Sequence, residues 1–372
     1  MGNILSGYLF PHPPIIIEEI GRERRLAAAK TIEGSKDLAK DIKGKGPTTI
    51  LVVTPHGPLF SDAISISVEE KLEGDFGDFG SRDISFSFEN NLELVKDIIN
   101  KSEKENIPIA KIDKKLARAY QLSLKLDHGT LVPLYFVNKE YHAYKLVHIT
   151  YGLLSPEKLY KFGHIIQKAV LESNEDVVFI ASGDLSHRLS NSGPYSYSPY
   201  GPEFDKKLIN LLKEADFEKV VTFDSVLAEK AGQCALRSLI VLAGFLDGYK
   251  VEAEVLSYEG PFGVGYCNAR FVPIGRDDSR RIYGKLKRKE REKIEKIREK
   301  EDPYVRLARK SLEHYIKYGE RLKVPEDLGE EFLNRRSGVF VSIEKDGVLR
   351  GCIGTIEPVR KNLAEEIIEN AI

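Results

Sequence analysis

The sequence contains no tryptophan, one methionine and three cysteines in 372 residues. Cys234, Cys267 and Cys352 lie far apart and none belongs to a Cys-x-x-Cys pair, which excludes a disulfide framework and a cysteine-rich structural zinc site. A reducing, cytoplasmic setting is expected. No apolar run reaches the roughly 18 residues that span a bilayer, and the N-terminus lacks the basic start and small-residue cleavage site of a signal peptide. Nor does either sign of charge dominate. Lys and Arg number 56 against 57 Asp and Glu, a formal net charge of -1, so no overall field favours nucleic acid or an anionic membrane as a partner. The signatures HExxH, GxSxG and GxxxxGK(S/T) are missing. Gly260–Gly265 (GPFGVG) has the wrong spacing for a dinucleotide fingerprint and precedes a strand. Metalloprotease, serine hydrolase, P-loop and Rossmann functions fall away on those residues.

What is present is 42% hydrophobic residues, enough for a large core, over a length that allows two or three domains. From residue 1 to about 275, short β-branched runs alternate with longer amphipathic stretches, the pattern of an α/β layer fold. Strands are expected at Ile4–Phe10, Thr48–Thr54, Leu131–Val137, Tyr144–Tyr151, Val177–Ala181, Val251–Tyr258 and Tyr266–Pro273. Helices are expected at Leu92–Lys104, Lys114–Leu126, Pro156–Ser173, Glu203–Glu214 and Ser225–Leu246. Met1–Ser6 fits a myristoylation pattern, but a lipid there would compete with the first strand for the same end of the chain. Residues 276–302 hold few apolar side chains (Ile282, Leu286, Ile294, Ile297) and mix both charges, which reads as a solvated helical linker rather than a nucleic-acid arm. Residues 303–372 read as a second, partial α+β unit: a helix, a strand pair joined at Lys345-Asp346-Gly347, and a final apolar helix with no stop signal.

Eight histidines are spread along the chain. His142, His148, His164 and His314 sit in ordinary turn, strand or helix contexts and are assigned no function. Three of the remainder share a context. His12 (FPHPP), His56 (TPHGP) and His187 (SGDLSH) each follow a strand within a few residues, beside Gly or Pro; His128 (DHGT) precedes an apolar run. Ligands bind in the crevice at the carboxyl ends of strands in open α/β sheets, so these imidazoles are expected to converge there. Two histidines with one further anionic donor form the pattern of a mononuclear non-haem Fe(II) site. On rigid proline-flanked loops, His12 and His56 suit ligation, leaving His187 and His128 for acid–base chemistry.

FPHPP, TPHGP, DHGTLVPL, SGDLSHRL and YEGPFGVGY, in that order, resemble the class III extradiol ring-cleavage dioxygenases of the catalytic B-subunit type, and the related Memo family. LRGCIGTIEP (Leu349–Pro358) resembles the AMME-chromosomal-region domain, found in prokaryotes beside Memo-like and radical-SAM partners. The resemblance implies a central mostly parallel sheet with helices on both faces, over residues 1–275. It implies an Fe(2+) enzyme that opens a catechol-type ring with O2, with a small aromatic substrate and a homo-oligomeric state. It carries two metal-binding histidines onto His12 and His56, a base onto His187, and a substrate- or oxygen-contacting histidine onto His128. The dioxygenases place a Glu as third ligand; here the matching stretch puts Cys234, as in the Memo family, with Glu229 and Glu259 as carboxylate alternatives. A thiolate donor brings forward a second reading, a Memo-like metal-binding protein without ring cleavage, working with a radical-SAM partner; a zinc hydrolase shares the same donors. Asp184 is expected to orient a loop or a histidine N–H, and Cys352 to be buried and structural.

Overall fold

The computed structural model describes residues 1–345 and 348–372, apart from the side chains of Glu290, Lys293, Lys345 and Val348. The turn expected at Lys345-Asp346-Gly347 lies outside the described residues. The chain divides after Leu286 into two compact units.

The first unit opens with β1 (Asn3–Phe10), a short α1 (Glu18–Gly21), α2 (Ala29–Lys45), β2 (Thr49–Thr54) and β3 (Ile64–Ser67). The hairpin of β4 (Lys71–Phe76) and β5 (Ser81–Glu89) precedes α3 (Leu92–Lys104), β6 (Ile109–Ile112), α4 (Lys114–Tyr120), α5 (His128–Glu140) and β7 (Lys145–Thr150). Then follow α6 (Pro156–Glu172), β8 (Asp176–Ser182), α7 (Tyr200–Lys213), α8 (Phe217–Val221), α9 (Ser225–Ala231), α10 (Ala235–Phe245), β9 (Tyr249–Glu259) and β10 (Tyr266–Arg276); α11 (Tyr283–Glu299) leads out.

Eight strands form one sheet in the order β6-β3-β7-β2-β8-β1-β10-β9. The central strands β7, β2, β8 and β1 are mutually parallel, and β9 and β10 close one side antiparallel. Every residue of β2 is buried, so it is apolar on both faces, as a strand covered on both sides must be. Leu51 and Val53 point into a core shared with α3, α6, α7 and α10, while Ile50 and Val52 point into the one shared with α2 and α5. The α/β architecture expected from the sequence is therefore present, and Gly2, the acylation candidate, is buried at the start of β1.

Register fixes where the strands end. Phe10 pairs with Ser182, Val53 with Ala181, and Thr54 with Thr150. Three parallel strands thus finish at one level, and the residues two places further on are His12, His56 and Asp184.

Four expectations are corrected here. Leu131–Val137 is the middle of helix α5, not a strand; Asp127 caps that helix by accepting from Thr130 N, and Gly129–Val137 are buried without interruption. A run apolar on every side cannot be told from a buried strand by periodicity. The helix expected over Ser225–Leu246 breaks at Gly232, which takes φ +62, so Cys234 stands immediately ahead of α10 rather than inside a helix. The helix expected to reach Leu126 stops at Tyr120, where Gln121 turns left-handed with φ +54. In the stretch expected to be solvated, Ile282 and Leu286 are instead buried in the first unit's core.

In the second unit, α12 (Pro303–Tyr318), α13 (Glu330–Asn334), β11 (Phe340–Lys345), β12 (Val348–Gly354) and α14 (Leu363–Asn370) surround a small core of Leu307, Phe332, Leu363, Ala364, Ile367 and Ile368. Cys352, expected to be buried, is exposed on β12 and accepts a hydrogen bond from Ser342 Oγ at 3.2 Å. A two-stranded sheet gives it no second layer to hide against.

Helices α6 and α10 cross with their backbones nearly touching. A Cβ on Gly163 would stand 1.9 Å from Val241 O, and one on Gly244 would stand 2.0 Å from Tyr160 O. Gly163→Ala should force the helices apart and destabilise the protein by about 1–3 kcal/mol, read from the urea midpoint; an unchanged midpoint would contradict this packing.

Candidate metal centre at the strand ends

The loops after β1, β2 and β8 bring His12, His56 and His187 to one place, where the starts of α5 and α10 add His128 and Cys234. His12 Nε2 and His56 Nε2 are 3.1 Å apart. The His128 ring lies 4.2 Å from that of His56 and 5.5 Å from that of His12, centroid to centroid. Cys234 Sγ is 3.6 Å from both His12 Nε2 and His187 Nε2. Donors bound to one ion at about 2.0–2.1 Å for nitrogen and about 2.3 Å for sulfur lie roughly 3–3.6 Å from one another. His12, His56 and His128 together offer ring nitrogens within 4.8 Å of one another, a group suited to a metal ion. The residues singled out in the sequence, His12, His56, His128, His187 and Cys234, are thus neighbours. Glu229 and Glu259 are not part of the cluster: Glu229 is exposed on α9, and Glu259 Oε1 accepts from Thr31 N and Thr31 Oγ1 at 2.6 and 2.7 Å.

Asp184 ties the loops together. Its Oδ1 accepts the His12 backbone N–H at 2.9 Å, its backbone N–H donates to Cys234 Sγ at 3.2 Å, and its carbonyl accepts from the N–H groups of Cys234 and Ala235. The expectation that Asp184 would orient a histidine is met at the backbone rather than the ring. Its Oδ2 also stands 3.8 Å from His12 Nε2, so a buried carboxyl flanks the donors.

Burial governs the electrostatics. Desolvation, reinforced by neighbouring imidazoles, holds His12 well below its ordinary pKa; desolvation alone lowers His56. His128 and His187 are each lowered to about 4, first by burial and then by His56. Burial raises Asp184 to about 7 against the opposing His12 N–H bond, and pushes the Cys234 thiol well up. All the imidazoles therefore present lone pairs at neutral pH, in a pocket that disfavours isolated charge. A cation is the species that reverses both the Asp184 and the Cys234 shifts.

Several supporting residues were not found by sequence reasoning. His148, assigned no function, is buried in a chain running Ser67 Oγ, His148, Asp127, Thr54 Oγ1, with links of 2.8, 3.1 and 2.6 Å. Burial alone would raise the Asp127 carboxyl, but the bonds from His148 and Thr54 and the nearby imidazoles bring it below its usual range. Asp127 also caps α5, which fixes His128 at the first helical position. Its signal in the sequence is a helix-capping Asp followed two residues later by Gly-Thr, and the all-apolar run after it is equally compatible with a strand. The GPFGVG segment holds the His187 loop: Leu185 N donates to Gly265 O, Gly265 N to Ser186 O, and Leu189 N to Gly263 O. A Cβ at Gly265 would stand 2.2 Å from Asp205 Oδ2, whose partner oxygen accepts Ser186 N at 2.8 Å.

Residues 6–269 match the family described as the catalytic LigB subunit of aromatic ring-opening dioxygenase. The chain belongs to that family. Residues 305–372 match the AMMECR1 family. This LigB-family chain is 46% identical over 366 residues to a Clostridium acetobutylicum protein, covering 98% of this chain and 78% of that one. It is 26% identical over 278 residues to the 3,4-dihydroxyphenylacetate 2,3-dioxygenase of Escherichia coli, covering 69% of this chain and 95% of that enzyme. It is also 31% identical over 185 residues to a MEMO1 family protein of Pyrococcus furiosus, covering 41% and 60% of the two chains. Among the described residues, no helix is long and apolar enough to cross a membrane.

The His187 shift has a definite sign. Its folded pKa of about 4 lies below the ordinary 6.5, so in that window the unfolded chain binds a proton that the folded one does not. Stability should fall as pH drops through it. In the metal-free protein, His187→Gln should flatten that decline by up to about 1.4 kcal/mol per pH unit. Urea unfolding across the window measures it, and parallel curves for both proteins would contradict the buried neutral imidazole.

Proposed function

We propose that the first unit is a ferrous-iron oxidoreductase that opens a catechol-type aromatic ring with O2. The observation that carries this reading is the group of ring nitrogens from His12, His56 and His128 within 4.8 Å of one another, with the Cys234 thiol 3.6 Å from both His12 Nε2 and His187 Nε2. Its support from relatives is the family match and the E. coli dioxygenase.

Fe(2+) held by His12, His56 and Cys234 would supply Lewis acidity toward a bound hydroxyl and an electron source for dioxygen. His187 and His128 are neutral at physiological pH, so each can accept a proton from a substrate hydroxyl and return it. Two aromatic side chains flank these bases: Phe79 meets the His128 ring edge-on at 5.3 Å, and Tyr195 stacks on the His187 ring at 5.7 Å. Both rings are partly exposed, at 40% and 53%, and offer apolar faces to a flat aromatic substrate.

A specific observation favours a second reading. The third donor is the Cys234 thiol, 3.6 Å from His12 Nε2, where ring-cleaving iron sites use a carboxylate, and a thiolate is itself oxidisable. Together with the MEMO1 family relative and the AMMECR1 segment, this supports a metal-binding protein without ring cleavage; service to a radical-SAM partner rests on the resemblance of the tail alone.

One experiment separates the two. The iron-loaded full chain is mixed anaerobically with a catechol and then exposed to air. A yellow ring-fission product, lost at least about a hundredfold in His187→Ala, is expected on the first reading. Absence of product with stoichiometric iron bound supports the second. His12→Ala and His56→Ala should each lose bound iron; full metal content in both would overturn the two readings together.

A further inference from the structure

Helix α5 contains a proline at its centre, and the defect it makes reaches the metal-donor cluster. In an α-helix the carbonyl of residue 129 is bonded by the N–H of residue 133, but residue 133 is Pro133, which has none. The Gly129 carbonyl is instead bonded by the hydroxyl of Ser182, the last residue of β8. Ser182 Oγ is at the same time 2.8 Å from His12 Nδ1.

A serine hydroxyl has one proton, and a carbonyl can only accept. The Ser182 proton is therefore committed to Gly129, and toward His12 the oxygen can only accept. His12 must then carry its proton on Nδ1, which leaves the Nε2 lone pair facing His56 Nε2 and Cys234 Sγ. The relay is dry: Ser182 is fully buried and His12 is 2% exposed. The close approach needs glycine at position 129, because a Cβ there would stand 2.5 Å from Thr54 Oγ1 and 2.8 Å from Asp127 Oδ1.

We propose that Pro133, Gly129 and Ser182 form a positioning relay that fixes the tautomer of His12 before any metal arrives, with Ser182 as its key residue. Its functional meaning rests on His12 being a metal ligand, as proposed above. A ligand imidazole held in the correct tautomer and plane by a hydrogen bond at its other nitrogen binds metal more tightly, and loss of such a partner typically costs about ten- to hundredfold in affinity. The first two residues of the relay are explained by it: a helix-interior proline releases the carbonyl, and a glycine lets the helix reach the strand end.

The test uses the full chain labelled with nitrogen-15 histidine, without metal and above pH 7, with His12 assigned by its absence from His12→Gln. The wild-type spectrum should show His12 as the Nδ1–H tautomer. Ser182→Ala should shift it toward a mixture and weaken zinc binding, read by competition with a chelating dye, by about ten- to hundredfold, with its urea midpoint showing a folded protein. An Nε2–H tautomer in the wild type would overturn the proposal whatever Ser182→Ala does. So would an unchanged tautomer and zinc affinity within twofold in Ser182→Ala. The expected tautomer in a wild-type protein that binds no metal would leave the relay standing and remove the metal reading instead.

Discussion

The parallel register of β1, β2 and β8 is the constraint from which the centre follows. Leu9, Ala181 and Val53 lie at one level across three adjacent strands, and Phe10, Ser182 and Thr54 follow them one residue further on. Each strand then turns at a short rigid loop, and His12, His56 and Asp184 arrive together without any long search by flexible chain. A one-residue slip in any of these pairings would turn the side chains of the slipped strand to the other face of the sheet and move its end out of level. The close packing of α6 on α10 matters for the same reason: α10 begins directly after Cys234, so what seats the helix also seats the thiol.

Around that framework, the polar groups are arranged as neutral donors. Four imidazoles with lowered pKa values, a thiol and a carboxyl with raised ones share a buried space. Each shift is led by the loss of water, and each is the direction that removes charge. A cation bound there would favour the charged forms of the thiol and the carboxyl that burial disfavours. The supporting contacts divide the work. Asp184 holds the His12 backbone, Ser182 its ring, Asp127 and His148 hold the start of α5, and the GPFGVG backbone holds the His187 loop.

Much of this was legible in the sequence. Strands such as TTILVVT and VVFIA announce themselves through β-branched runs, and histidines placed just past them, beside proline or glycine, point to one end of one sheet. What was hidden depended on contacts between distant segments. Leu131–Val137 is buried on all sides and so shows no period by which to tell helix from strand. His148 looks like any alternating strand residue until Asp127 is brought to it from 21 positions away. The split of the long apolar helix at Gly232 shows only in the backbone, although it decides that Cys234 stands at a helix start with its side chain free to meet two imidazoles. The exposure of Cys352 is likewise set by its two-stranded sheet and not by the local sequence.

If imidazoles from the strand ends and the thiol ahead of α10 hold a single ion, its inner shell contains both nitrogen and sulfur. X-ray absorption spectroscopy on the iron-loaded full chain tests it most directly. The account predicts imidazole scattering together with one sulfur neighbour at about 2.3 Å, lost in Cys234→Ala. A shell of nitrogen and oxygen alone in the wild-type protein would contradict it.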